Sequence, residues 1–478
     1  MAMTDLAIAW ILLPFGAGLA LYLLPPLARG LTLAIALVSL CVGLGITINQ
    51  VNTAFVLLDS FGISLSIDPL SGYFIVTNAL VTLAALLHIW QERDKAFFYV
   101  LLCLLHGSAN TVFISADFLS LYVNIEVLGI VVFLLIAYPR SDRCLWIGLR
   151  YLMVSNVAML FYLMGVALVY QTNHTFAFRA LMQASPEAVA LILMGLLAKG
   201  AIFISGLWLP QTNVVAAPIV AALLAGIVEN TGVFSLVRVS LLHSNIADIV
   251  RLFALAAIFF GSIFALVADD VRRMLSFSTL GQLGWIVIAP PAAGLYALMH
   301  GLAKASLFLS VGELRHYRLS ELRQEGLPRP VAIALIIAGY GIVGVPFLAG
   351  FPAKVLTLSY LEPWHQGLLY GAGFLTATVY SKFLFLPRYP SKTLIPLGYR
   401  AATMVLLGGL FLANGGYTEA YSSGMSLLRA ALPPLVGCGL VALGVSRWES
   451  SWRGAWERLE HLLGVMLLLL LGLVGLAL

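Results

Sequence analysis

The chain has 478 residues, 61% of them hydrophobic and only 10% charged, against the roughly 25% charged residues of an ordinary soluble domain. At a mean hydropathy of +1.01 so much apolar surface cannot be buried inside one globule, which excludes a soluble enzyme and makes lipid the solvent for most of the outer face. The net charge of +5 gives no sign of a nucleic-acid partner, because the basic residues sit in short connections and form no long basic stretch.

A helix needs about 20 residues to cross ~30 Å of hydrocarbon, and apolar runs of that order recur throughout. They lie near Leu6 to Leu24, Leu31 to Ile46, Pro69 to Trp90, Phe97 to Ile114, Phe118 to Tyr138, Trp146 to Val169, Ala188 to Leu207 and Ile219 to Leu242. Eight more lie near Ile249 to Ala268, Met274 to Ala289, Leu295 to Leu314, Val331 to Leu348, Gly367 to Leu386, Ala402 to Ala413, Ala431 to Val445 and Leu462 to Leu478. Several are short, so the expectation is an all-α integral membrane protein of about 14 to 16 transmembrane helices. The first run lacks the basic start and the small-residue cleavage site of a signal peptide and reads as a retained helix.

Cytoplasmic loops should be enriched in Lys and Arg. Every second connection, except the uncharged one after the seventh run, is basic: Arg29; Arg93 and Lys95; Arg140 and Arg143; Arg272 and Arg273; Arg315, Arg318 and Arg323; Lys382, Arg388 and Lys392; Arg447, Arg453 and Arg458. That alternation predicts both termini on the non-cytoplasmic side. No long hydrophilic segment remains for a catalytic domain. Cys41, Cys103, Cys144 and Cys438 are scattered, without metal-ligand spacing, and read as buried apolar side chains.

The informative residues are the ionisable ones inside the apolar runs: Glu126, Lys199, Glu229, His300, Lys304 and Lys354. A central Lys or Asp costs ~2.5 to 3.5 kcal/mol on insertion scales, so these groups must face one another or water. Glu126 lies mid-run with Asn124 nearby, and a lysine is its natural partner. Lys199 is at mid-depth in the seventh run, which Pro210 and Pro218 are expected to break. Pro346, Gly350 and Pro352 are expected to break the twelfth run just before Lys354. His300 and Lys304 are four apart and share a helix face, a spacing that suits a relay group beside a charge. Glu229, Asn230 and Thr231 form a polar island in the eighth run. The bland alternatives are buried ion pairs that only lock helices together and, for His300, a packed and hydrogen-bonded ring. Against them stands a proton relay in which groups at mid-membrane, bridged by water, exchange protons as opposite charges approach or withdraw.

Two motifs carry no function. Gly339-Tyr-Gly341-Ile-Val-Gly344 matches a dinucleotide fingerprint but lies in a membrane run with no preceding soluble strand, so helix packing accounts for it better. Asn173-His-Thr175 fits a glycosylation acceptor in an external loop, a tripeptide that arises often by chance. No Walker motif, haem pair or redox site is found, and no cofactor or metal is expected.

Taken together, the motifs make the chain resemble the family shared by Mrp-type Na+/H+ antiporters and the antiporter-like membrane subunits of respiratory complex I. Ala116 to Val127, containing Glu126, is similar to the family's fifth helix. Lys199, followed by Trp208-Leu-Pro210 and Ala217-Pro218, is similar to its broken seventh helix. Asp270 to Gly284 resembles the segment DIKRxLAYSSxSQxG, His300 to Phe308 resembles HxxxKAxLF, and Gly344 through Lys354 resembles GxPPxxGFxxK. The resemblance implies two inverted five-helix repeats, each with one broken helix. The implied divisions are 1–95 for N-terminal helices, 96–245 and 246–392 for the repeats, and 393–478 for C-terminal helices. It also implies a site made of Glu126, Lys199, Glu229, Asn230, His300, Lys304 and Lys354, with Asn230 standing where many members carry a lysine. The implied function is proton or cation translocation in a multisubunit membrane assembly, with H+ and Na+ or K+ as cargo and an energy-transducing membrane, such as the bacterial inner membrane, as the setting. The segment around Glu126 and the compact length lean toward the D-type subunit of a Mrp antiporter. The alternatives are a proton-pumping subunit of an NADH- or ferredoxin-driven quinone oxidoreductase and a degenerate membrane scaffold.

Overall fold

The computed structural model describes residues 2–57, 63–91, 96–390, 395–445 and 458–477. Helices come first: α1 (Ala2–Leu23), α2 (Ala28–Ile48), α3 (Pro69–His88), α4 (Ala96–Ile114), α5 (Phe118–Ala137) and α6 (Asp142–Asn173). Next are α7 (Pro186–Lys199), α8 (Trp208–Val215), α9 (Pro218–Leu223), α10 (Glu229–Ser240), α11 (Ser244–Val267), α12 (Val271–Val287) and α13 (Ala293–Gly312). The chain continues through α14 (Leu319–Glu325), α15 (Arg329–Val343), α16 (Gly350–Ser359), α17 (Pro363–Ser381), α18 (Leu397–Gly415), α19 (Gly424–Ala442) and α20 (Leu459–Ala477).

Among the described residues, 12 helices are long and apolar enough to cross a membrane, and α7 with α8, bent by 43° at their junction, makes a thirteenth. α12, α17 and the interrupted α15–α16 pair are shorter or more polar. They pack against α13, α11 and one another inside the bundle. Each of the sixteen apolar runs thus corresponds to one helix or one interrupted helix. Arg93, Lys95, Lys392, Arg447 and Arg453 lie outside the described residues. Lys382, expected in a basic connection, is instead only 3% exposed, and its Nζ donates to Leu266 O at 2.6 Å.

Local signals set many helix starts. Asp68, Asp117, Ser141 and Ser185 each accept a hydrogen bond from the amide three residues on, at the heads of α3, α5, α6 and α7. Pro69, Pro186 and Pro218 occupy first turns, where the missing N–H costs nothing. A short antiparallel hairpin, β1 (Thr53–Val56) and β2 (Ser64–Ile67), is tied to the head of α5 through Ser64 N, which donates to Asp117 Oδ2 at 2.8 Å.

Burial sorts the helices into an inner and an outer set. The most apolar windows of the spans Pro218–Ser240 and Pro290–Gly312 are completely buried, whereas that of α19 is 11% buried. Helices surrounded by other helices can carry polar groups that lipid would not tolerate. The two central spans hold Glu229, Asn230, His300 and Lys304. The glycines of the apparent dinucleotide fingerprint serve packing: a Cβ on Gly339 would sit 2.7 Å from the Tyr380 ring, and Gly344 closes α15 at φ +88°.

Candidate ion-translocation site

Two interrupted helices bring the buried charges together. At the first, α7 ends on Lys199, and the chain turns through Gly200 to Leu207 before α8 begins. Ala201 and Phe203 adopt left-handed φ values of 51° and 60°. The interruption therefore precedes Pro210, which lies inside the first turn of α8, while Pro218 opens α9. Side chains capture the carbonyls that the break releases. Ser205 Oγ donates to Leu197 O at 3.1 Å and Trp208 Nε1 to Ala198 O at 3.1 Å. Arg150 of α6 donates to Trp208 O at 3.3 Å and to the Gln211 side chain, which pins α8 from outside.

Lys199 is 4% exposed. Its Nζ donates to Ser155 Oγ at 2.7 Å and Tyr151 Oη at 3.2 Å, one turn apart on α6. Gly129 of α5 admits it, since a Cβ there would lie 3.7 Å from Nζ. No carboxylate reaches ion-pair distance of Lys199 among the described residues. Glu126, one turn before Gly129, nevertheless interacts electrostatically with it, and the Tyr151 hydroxyl lies in the fields of both Glu126 and Glu229.

α10 meets α7 where a Cβ on Gly232 would come within 2.4 Å of Gly200 N. Glu229 lies one turn before this contact on α10. A single π-helical turn, Leu224–Val228, immediately precedes Glu229, a local widening frequently found at functional sites. Glu229 is fully buried, and neither carboxylate oxygen has a partner among the described residues. Asn230 Nδ2 donates to Gly226 O at 2.9 Å, leaving Oδ1 unpartnered. Both ring nitrogens of His300 are likewise unpartnered, at 0% exposure.

Lys304, also 0% exposed, donates to Tyr380 Oη at 2.9 Å and Leu275 O at 3.0 Å. Tyr380 Oη is in turn 2.7 Å from Ser278 Oγ. Glu229 and His300 both feel the Lys304 charge. The second interruption follows α15, where Gly344 and Phe347 take φ values of +88° and 71°. Pro346 lies within it, Gly350 begins α16, and Pro352 sits in the first turn of α16. Lys354 Nζ donates back across the break to Val343 O at 3.0 Å and lies 4.9 Å from the Trp285 ring centre. It is partly exposed to a cavity of about 220 Å³.

Other buried polar groups contrast with these. His106, not among the residues singled out by charge, has Thr82 Oγ1 at 3.0 Å from Nδ1 and Ser39 Oγ at 2.8 Å from Nε2, in a network with Asn78 and Asn110. That cluster is partnered and locks α2, α3 and α4 together. Arg150 and Lys382 are likewise absent from the expected site, although the rule that flags Lys199, a charge inside an apolar run, finds both. Asp68 pairs with Arg238 at the edge of the bundle. Burial works against its charge, but the Arg238 hydrogen bonds and charge outweigh burial and hold its carboxyl below the ordinary range.

Interrupted helices packed around a buried acid and buried amines define a class of helical membrane protein built to manage charge in its interior. A model of the NADH:quinone oxidoreductase/Mrp antiporter transmembrane family matches residues 115–380, more than half the chain and both breaks, and the chain belongs to that family. It is 30% identical over 338 residues to NADH-quinone oxidoreductase subunit N of Desulforudis audaxviator, covering 63% of this chain and 67% of that one. It is 26% identical over 325 residues to the D-type subunit of the Na(+)/H(+) antiporter of Alkalihalophilus pseudofirmus, covering 62% and 66%. The match spans 54% of NAD(P)H-quinone oxidoreductase subunit 5 of Paulinella chromatophora. The fold is shared with a chain of the Mrp complex from Dietzia sp. (TM-score 0.73, 18% identity, 95% of this chain and 99% of that one). It is also shared with a chain of the membrane-bound sulfane sulfur reductase, an archaeal respiratory membrane complex (TM-score 0.76, 22% identity, 91% and 99%).

Proposed function

We propose that this chain is a proton- or cation-translocating membrane subunit of a multisubunit assembly, most directly of a Mrp-type Na+/H+ antiporter. Protons pass along Glu126, Lys199, Glu229, His300, Lys304 and Lys354, with Asn230 holding water between the halves. The carrying observation is the set of orphaned atoms on the two completely buried spans: both Glu229 oxygens, Asn230 Oδ1 and both His300 nitrogens. Buried polar groups are nearly always satisfied by protein or water. A merely structural set of charges would show the closed bonding of the His106 cluster; these groups are left for water and mobile protons.

The chemistry is an exchange between amine and acid. Lys199 and Lys304 are held by hydroxyl and carbonyl groups, with Glu126 and Glu229 near enough to act through their fields. A small movement of either acid therefore alters proton affinity without breaking a packed core. The reading carries with it the paired-repeat organisation (96–245 and 246–392), both termini on the non-cytoplasmic side, and a bacterial inner membrane or related energy-transducing membrane. A second reading, a proton-pumping subunit of a quinone oxidoreductase, is favoured by the 30% identity to an N-type oxidoreductase subunit.

The test is proton movement in vesicles containing the purified assembly, read by a pH-sensitive dye. A Na+ gradient should drive flux if the assembly is an antiporter, and quinone reduction should drive it if it is an oxidoreductase. In either case Lys199→Ala should abolish flux. Unchanged flux in that variant overturns the relay.

A further inference from the structure

The cavity beside Lys354 has a chemistry that proton passage alone does not require. It opens between α16, α17 and α19, and its lining contains two cations, Lys354 and Arg429, and no Asp or Glu. Trp285 lines it as well. Its Nε1, which can only donate, has no partner among the described residues although the side chain is 2% exposed. Arg429 stands exposed at the mouth, 5.7 Å from the Tyr370 ring centre. An unpartnered buried donor, a lysine spending one N–H on Val343 O, and an exposed guanidinium make a site for an anion; a metal cation would be repelled.

We propose that this cavity binds the phosphate diester of an anionic membrane lipid. Size agrees, since about 220 Å³ accommodates a headgroup phosphate with several waters at roughly 30 Å³ each. Planar, weakly hydrated arginine is well suited to phosphate oxygens. The surroundings select lipid over a soluble anion: Trp364, Leu368, Met425 and Leu428 are exposed beside the mouth, and α19 faces outward along most of its length. Acyl chains would cover that face, with Trp364 at the headgroup level where such rings concentrate. Arg429 lies beyond the residues matched by the family model, so the C-terminal helices contribute a ligand that the translocating core lacks. The inference stands whether or not Lys354 carries protons.

The experiment uses the purified assembly, delipidated in detergent and titrated with phosphatidylglycerol, phosphatidylcholine or inorganic phosphate. Lipid retention is read by native mass spectrometry and stability by thermal melting. Phosphatidylglycerol should be retained and should raise the melting temperature where phosphatidylcholine does not. Arg429→Gln should weaken its retention about tenfold, as expected for one charge-assisted contact. Trp285→Phe, which keeps the ring and removes the N–H, should weaken it by a smaller factor. Equal retention of the two lipids, or unchanged phosphatidylglycerol retention in both variants, overturns the site. Full stabilisation by inorganic phosphate alone overturns the lipid as its source.

Discussion

The two interrupted helices use one device in opposite ways. In the α7–α8 break the lysine comes before the interruption, and its amine is bound by two hydroxyls of α6 inside a sealed interior. In the α15–α16 break the lysine comes after it, and the amine returns to the carbonyl that the break released, beside a cavity. The first amine can change its charge only by exchange with neighbouring protein groups or trapped water. The second can exchange with whatever enters from outside. A broken helix therefore makes a place for a charge, and the packing around the break decides whether that place is a relay or a mouth.

The largest effect expected is at the sealed centre. Lys304→Ala removes the charge facing Glu229 and His300, and flux in vesicles should fall roughly tenfold or more, at least ~1.4 kcal/mol in the barrier. Flux near that of the unaltered protein would show that the two halves work independently.

The contrast in access can be measured next. In a background freed of Cys41, Cys103, Cys144 and Cys438, Lys354→Cys should react with a membrane-impermeant thiol reagent about tenfold faster than Lys199→Cys. Equal rates would break the distinction between relay and mouth.

Asp68 and Arg238 serve as a control away from both breaks. Asp68→Asn should cost about 2 kcal/mol of stability at neutral pH and leave flux per folded molecule unchanged. Because the folded-state pKa of Asp68 is lowered, its contribution is fully present above the ordinary carboxylate range and is lost as pH falls through the lowered value. The variant's melting temperature should therefore fall less steeply on acidification.

The smallest effect expected is that of Tyr151→Phe, which removes one hydroxyl from Lys199 and leaves Ser155. A reduction in flux of a few-fold, about 1 kcal/mol, would place Tyr151 as a positioning residue. Recovery of normal flux in Tyr151→His, which restores a hydrogen-bonding group, would separate that role from packing.

Much of this arrangement is legible in the residues. Sixteen apolar runs announce the helices, and charges inside such runs are conspicuous because lipid penalises them. Arg150 and Lys382 carry the same signal less plainly, the first near the start of a 32-residue helix, the second beside a loop rich in basic residues. The position of the first break was not legible. Pro210 looks like the breaker, but the chain turns at Ala201 and Phe203, residue types that rarely take left-handed φ values, just after the point where Gly200 and Gly232 let α7 and α10 touch. Nor could the sequence tell the closed His106 cluster from the open Glu229 cluster, since both are polar residues in apolar helices.

By itself the sequence determined the solvent, the helices and the charges that had to be sheltered, because hydropathy and the cost of a bare ion in lipid act on every residue where it stands in the chain. Which charges meet, which stay unpartnered and which open on a cavity depended on helices distant in the chain coming within a few ångströms, as Lys304 and Tyr380 do. Only the tertiary structure decided that.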